Sequence, residues 1–185
     1  MGSSPALPDI FADWFARRGW APRAHQLACL EAGLAGRSHL LIAPTGGGKT
    51  LAGFLASLVD LHRHGGGRGL HTLYISPLKA LAVDIARNVE APVAEMGLKI
   101  ALETRTGDRP QARRQRQKRT PPDILLTTPE QLALLLASGD AEAFFKSLRC
   151  VILDEIHSLI DAKRGHLLEL GLARLRRLSP NLRVT

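Results

Sequence analysis

Sulfur is scarce in this chain. Two cysteines, Cys29 and Cys150, lie far apart in 185 residues, with no CxxC pair and no histidine spacing suited to zinc. That argues against a disulfide framework or a structural zinc site, and both thiols read as small buried hydrophobes. Long apolar runs are also lacking. No window approaches the roughly 18 consecutive apolar residues of a membrane span, and the N-terminus has neither a basic start nor an apolar signal core. A cytoplasmic protein with no membrane partner is therefore expected. Acidic residues are the minority, 17 against 25 Lys and Arg, which leaves a net charge of +8. Charge of that sign points to an anionic partner, nucleic acid first, with a plain excess of surface cations as the alternative.

What is present has the size and apolar content of one globular domain. Apolar runs followed by turn residues and helical patterns recur five times without any internal repeat, which predicts an α/β fold, a mainly parallel sheet with crossover helices. The strand candidates are HLLIA, HTLYIS, KIALET, DILLTT and CVILDE. Leu81, Ile85 and Val89 repeat at four-residue spacing and mark the buried stripe of one helix. Residues 1–36 hold two further helices, around Ile10 to Arg18 and Pro22 to Ala35. The segment His62 to Gly69, HRHGGGRG, reads as a flexible surface connection. His62, His64 and His71 read as exposed loop histidines, because no Cys or carboxylate cluster accompanies them.

The chemistry concentrates in APTGGGKT, Ala43 to Thr50. Between an apolar strand and a helical pattern, Thr45, Gly46, Gly47 and Gly48 let backbone N–H groups converge on an anion at a helix N-terminus. Lys49 can neutralise terminal phosphates and the Thr50 hydroxyl can ligand magnesium. A second element, CVILDEIH, delivers Asp154 and Glu155 to the C-terminal edge of a buried strand, the edge where open α/β sheets bind ligands. Asp154 can hold the Mg²⁺ shell, and Glu155 can orient and polarise an attacking water. Loop and acidic strand end together imply ATP hydrolysis.

At this point the residues resemble superfamily 2 helicases of the DExH type, whose phosphate loops commonly begin with Ala, as at Ala43. The resemblance implies a RecA-like P-loop NTPase domain across residues 1–185, with the second RecA-like domain absent. GWAPRAHQ then resembles the adenine-reading Q motif, and the Gln26 amide can accept from and donate to one adenine edge together. SPLKAL, TRTGD and TTPEQL resemble the motifs that contact a nucleic-acid backbone, which nominates Ser76, Pro77, Lys79, Thr104, Arg105, Gly107, Thr128, Pro129 and Glu130. Ser76-Pro77 and Thr128-Pro129 each have the form of an N-cap followed by a proline at the first helical position, and Thr128 with Gln131 fits a capping box. Two such helix N-termini, with Lys79 and Arg105, would make a track of anion sites; ordinary helix caps are the other reading. His157 is nominated to couple the ATP site to the strand-contacting elements, with a structural histidine as the alternative.

More narrowly, PRAHQ, YISPLKALAVDIARN, ETRTGD, PPDILLTTPEQLALLLAS and LDEIHSL with KRG resemble the large helicase-related family, particularly its ligase-associated DEXH-box branch. That branch implies work on single-stranded DNA in repair, beside an ATP-dependent DNA ligase and a nuclease. Lys163-Arg164-Gly165 matches a family pattern and receives no chemistry. The chain stops before the family's Ser-Ala-Thr motif, which reads as a fragment boundary, and the missing arginine fingers predict weak ATP-Mg binding and slow hydrolysis.

The basic run Arg109 to Pro122 reads as a solvated helix or mobile loop, with direct DNA contact as the alternative; it has no aromatic residue for base stacking. Phe11, Trp14 and Phe15 read as core at near-helical spacing, and Trp20 stands beside the Q motif where it could border the adenine. Three other functions share parts of this pattern: an RNA helicase domain, a P-loop switch or small-molecule kinase, and a non-catalytic nucleic-acid-binding module. The switch or kinase has no need of Gln26, the two Ser/Thr-Pro caps and DEIH together, and the module leaves Glu155 without purpose.

Overall fold

The computed structural model describes residues 7–44, 46–107, 110–159 and 163–185. Five parallel strands form one sheet in the order β2-β3-β1-β4-β5: β1 Thr72–Ile75, β2 Leu102–Arg105, β3 Ile124–Thr127, β4 Cys150–Leu153 and β5 Arg183–Val184. In the central strand β1, Leu73 is opposite Leu125 on one side and Val151 on the other. Strands buried on both faces read as near-continuous apolar runs, and TLYI, ILLT and CVIL do so apart from the buried Thr72 and Thr127 at two of their ends.

Alternation along the strands then divides the core. Tyr74, Ile124, Leu126, Cys150 and Ile152 join the layer made by α1 Asp9–Arg17, α2 Ala24–Leu34, α3 Lys49–His64 and α4 Lys79–Glu95. Leu73, Ile75, Leu125 and Val151 face the opposite layer of α6 Pro129–Leu136, α7 Ala141–Phe145 and α8 Lys163–Leu178. The remaining helix, α5 Gln111–Arg119, lies between β2 and β3 in sequence. Phe11, Trp14 and Phe15 are buried, as their spacing predicts, and so are both free cysteines. Among the described residues no helix is long and apolar enough to cross a membrane.

Four expectations need correction. The HLLIA run is not a strand: only the His39 N–H reaches the sheet, at Val184 O (3.0 Å), while Leu40 and Ile42 are 73% and 87% exposed. An apolar run becomes a central strand only when both its edges find partners. Second, the glycine-rich connection is shorter than HRHGGGRG: His62 to His64 belong to α3, and the irregular segment begins only at Gly65, where φ is 76°.

Third, His71 is buried, with Nε2 2.7 Å from Asp60 Oδ2 and Nδ1 2.8 Å from Thr72 Oγ1. Fourth, the basic run, whose first residue Arg109 lies outside the described residues, forms the helix that was one of its two readings, but that helix is not solvated all round. Glu103 on β2 holds α5 through Arg113 (3.2 Å), Arg116 (2.5 Å) and the buried Gln117 (2.8 Å).

Candidate functional site

The phosphate loop leads straight into α3, whose first residue is Lys49. Gly48 precedes it at φ 76°, a left-handed conformation that glycine adopts without steric cost. Space favours glycine most firmly at Gly47, where the close atom is backbone; at Gly48 it is the end of the Gln26 side chain. A Cβ on Gly47 would stand 2.8 Å from Pro44 O, and one on Gly48 would stand 2.8 Å from Gln26 Nε2. Thr45, nominated with them, lies outside the described residues. Gln26 is buried against this loop: its Oε1 accepts from the Arg23 N–H (2.9 Å) and its Nε2 donates to Gly48 O (3.4 Å). An adenine contact would exchange those bonds. Trp20 is exposed and shares the Arg18 guanidinium with Trp14, 5.0 Å and 5.3 Å from the two rings.

Lys49, Thr50, Asp154, Glu155 and His157 line one cleft of about 370 Å³ at the C-terminal edge of the sheet, with Tyr74 at its inner wall. The sequence reading missed Tyr74. Its buried hydroxyl donates to Asp154 Oδ2 at 2.5 Å, while Asp154 Oδ1 accepts from the Glu155 N–H at 3.0 Å. Burial first, and then the Asp154 carboxylate, push the Tyr74 phenol far above the usual tyrosine range, so it remains a donor. The only signal in sequence was a lone hydroxyl-bearing aromatic in an otherwise aliphatic stretch of strand.

Glu155 turns the chain out of β4 at φ 50°, and it is the only non-glycine residue with positive φ among those described. That conformation costs about 1 kcal/mol or more and redirects the backbone into the helical turn Ile156–Ser158. His157 Nε2 then lies 3.3 Å from Glu155 Oε2. The donor set suits magnesium. One carboxylate and one hydroxyl beside a phosphate cradle match an ion that keeps several waters and binds few protein oxygens. No cluster of three or more His, Cys, Asp or Glu residues suited to a metal occurs among the described residues.

The strand-contacting candidates meet only in part. Thr128 is the N-cap of α6 and Pro129 its first residue, as expected, although no capping hydrogen bond from the Thr128 side chain forms. The Thr128 hydroxyl instead joins Arg164 on the Glu130 carboxylate; burial raises that group's pKa, and the Thr128 hydroxyl, the Glu130 N–H and the Arg164 guanidinium together outweigh it to leave a net lowering. Gln131, the expected capping partner, is buried with Oε1 unpaired. Gly107 stands near the first turns of α4 and α6: a Cβ there would lie 3.6 Å from Gln131 Nε2 and 3.7 Å from Lys79 Nζ. Three nominated segments therefore converge.

Ser76 is not a helix cap. Its N–H extends the sheet by donating to Thr127 O (3.1 Å), Pro77 is buried behind it, and α4 begins only at Lys79 with Leu78 as N-cap. Thr104 and Arg105 are buried as well. Arg105 Nη1 donates to Arg114 O (3.1 Å) and Gln117 Oε1 (3.4 Å), so its guanidinium is turned toward α5 and helps to anchor it. Burial, with Arg114 nearby, lowers its pKa.

Comparison with known proteins places this geometry. The DEAD/DEAH box helicase family matches residues 23–185. The Lhr helicase/uracil glycosylase of Escherichia coli (strain K12) is 41% identical over 93% of this chain, which covers 12% of that protein. ATP-dependent helicase Lhr-Core of Methanothermobacter thermautotrophicus is 43% identical over 77% of this chain, which covers 18% of its length. Among solved structures, Mycobacterium smegmatis helicase Lhr bound to ssDNA and AMP-PNP superposes with a TM-score of 0.87 at 39% identity, over 96% of this chain and 24% of that one. The chain thus spans less than a quarter of each of these relatives.

Proposed function

The chain belongs to the DEAD/DEAH box helicase family, and from that premise we propose that it binds ATP-Mg and contacts single-stranded DNA as the nucleotide-binding unit of an ATP-dependent helicase or translocase. One observation carries the reading: Lys49 and Thr50 share a single cleft with Asp154 and Glu155. In this reading Lys49 neutralises the terminal phosphates, while Thr50 and Asp154 hold the ion. Bound there, the ion would neutralise charge developing on the transferring phosphoryl group. Glu155 orients the attacking water, and His157, against its carboxylate, relays the state of the site. Gln26, already beside the loop, reads the adenine.

Lys79, Gly107 and the α6 N-terminus form the strand-contacting surface. Such contacts fix the position of a strand without reading its sequence. The preference for DNA, a role in DNA repair beside an ATP-dependent DNA ligase and a nuclease, and a cytoplasmic location rest on the resemblance to the ligase-associated branch. Competition between DNA and RNA oligonucleotides separates the two strand types.

The test is titration with a fluorescent ATP analogue and Mg²⁺, alongside ATP turnover with and without single-stranded DNA, using Lys49→Ala as the comparison. Binding that disappears in Lys49→Ala supports the reading. Equal binding by both proteins refutes it.

A further inference from the structure

The sequence left Lys163-Arg164-Gly165 without a role, and Glu130 presents a difficulty of its own. A carboxylate among groups that should meet phosphate oxygens would repel them. The structure answers both at one side chain. Arg164, on the first turn of α8, pairs through Nε with Glu130 Oε1 at 2.5 Å and donates from Nη1 to Pro77 O at 3.0 Å. Pro77 belongs to the loop leaving β1, Glu130 to the first turn of α6, and Arg164 to the helix after the Asp154–Leu159 segment.

Only a planar fork with donors pointing in several directions reaches two acceptors this way; a lysine ammonium on a flexible stem is a poor substitute. We propose that Arg164 is a positioning residue of the strand-contacting surface: it neutralises Glu130 and fixes the Pro77 loop and the α6 N-terminus relative to each other and to α8. This rests on the nucleic-acid reading above. Glu130 is then a brace, and its charge is directed at Arg164 instead of at the strand.

The test is binding of a fluorescent oligothymidylate by the 185-residue chain, followed by anisotropy over a range of salt concentrations. The proteins compared are the wild type, Arg164→Gln, Arg164→Lys, Glu130→Gln and the Glu130→Gln/Arg164→Gln double variant, each checked for an unchanged unfolding temperature. A positioning role predicts that Glu130→Gln weakens binding about three- to tenfold although it removes a negative charge. The double variant should be no worse than the poorer single one, as expected of coupled neighbours, and Arg164→Lys should restore little. The slope of log affinity against log salt should stay unchanged in all of them.

A slope reduced by about one in Arg164→Gln would mean that Arg164 itself meets a phosphate, and would overturn the proposal. So would tighter binding by Glu130→Gln, which is the outcome if that carboxylate only repels the strand. Lys79→Ala separates the two levels of argument. If it lowers the slope while the Arg164 and Glu130 variants bind normally, the positioning role fails and the nucleic-acid reading stands. If the wild type shows no salt-dependent binding, both fail.

Discussion

Asp60→Asn is the perturbation whose size the structure defines best. Asp60 lies in the last turns of α3, where a negative charge opposes the helix dipole, and two histidines offset it. His71 Nε2 is 2.7 Å from Oδ2 and His64 Nδ1 is 3.0 Å from Oδ1. The hydrogen bond from His71, followed by burial acting in opposition and by the charges of His71, Arg183 and His64, moves the carboxyl from 3.8 to about 2. A folded-state pKa below the unfolded one means that the ionised form favours the fold. The contribution is fully present above about pH 4 and fades as pH falls through 2.

At about 1.36 kcal/mol per unit the shift is worth about 2 kcal/mol, and with the Asp60 side chain only 14% exposed little of this is lost to solvent screening. Urea unfolding of wild type and Asp60→Asn should therefore differ by about 2 kcal/mol near pH 5, where the carboxylate is ionised and the histidines are still cationic. The two should converge as the acid limit is reached. A gap that stays constant down to about pH 2 would assign the effect to packing and refute the ionic account; no gap at any pH would refute it as well.

Three further outcomes follow from the geometry. Tyr74→Phe removes the buried donor to Asp154; it should cost about 1.5–3 kcal/mol in urea unfolding, as for hydrogen bonds to charged groups, and raise the Mg²⁺ needed for half-maximal nucleotide binding. Gly33→Ala puts a Cβ 2.4 Å from Ala56 Cβ between α2 and α3, so calorimetry should register about 1–3 kcal/mol of destabilisation from overpacking. Glu155→Gln should lower the slow ATP turnover of the chain to the level of Lys49→Ala while strand binding persists, and unchanged turnover would remove Glu155 from its assigned role.

Local chemistry was legible in the sequence, and distant partnership was not. β1, β3 and β4 coincide with continuous apolar runs because each run is buried on both faces. HLLIA looks the same and forms no strand, since its fate depends on neighbours at its edges. The phosphate loop and the Asp154-Glu155 pair were readable because each is specified within a few residues. Tyr74 was not, because its partner is 80 positions away. His71 was read as exposed because no Cys or carboxylate cluster accompanies it in sequence, and the deciding contact is the Asp60 carboxylate on α3. Arg105 carries a charge that suits a phosphate, and only the docking of α5 shows that it turns inward.

The Tyr74–Asp154 contact also gives the site a spectroscopic reporter. Tyr74 is the sole tyrosine in the chain, so growth on 3-fluorotyrosine would place a single fluorine label in the protein, one hydrogen bond from the carboxylate that would hold the ion. Its fluorine NMR line would register arrival of nucleotide and Mg²⁺ separately, without any engineered cysteine or dye.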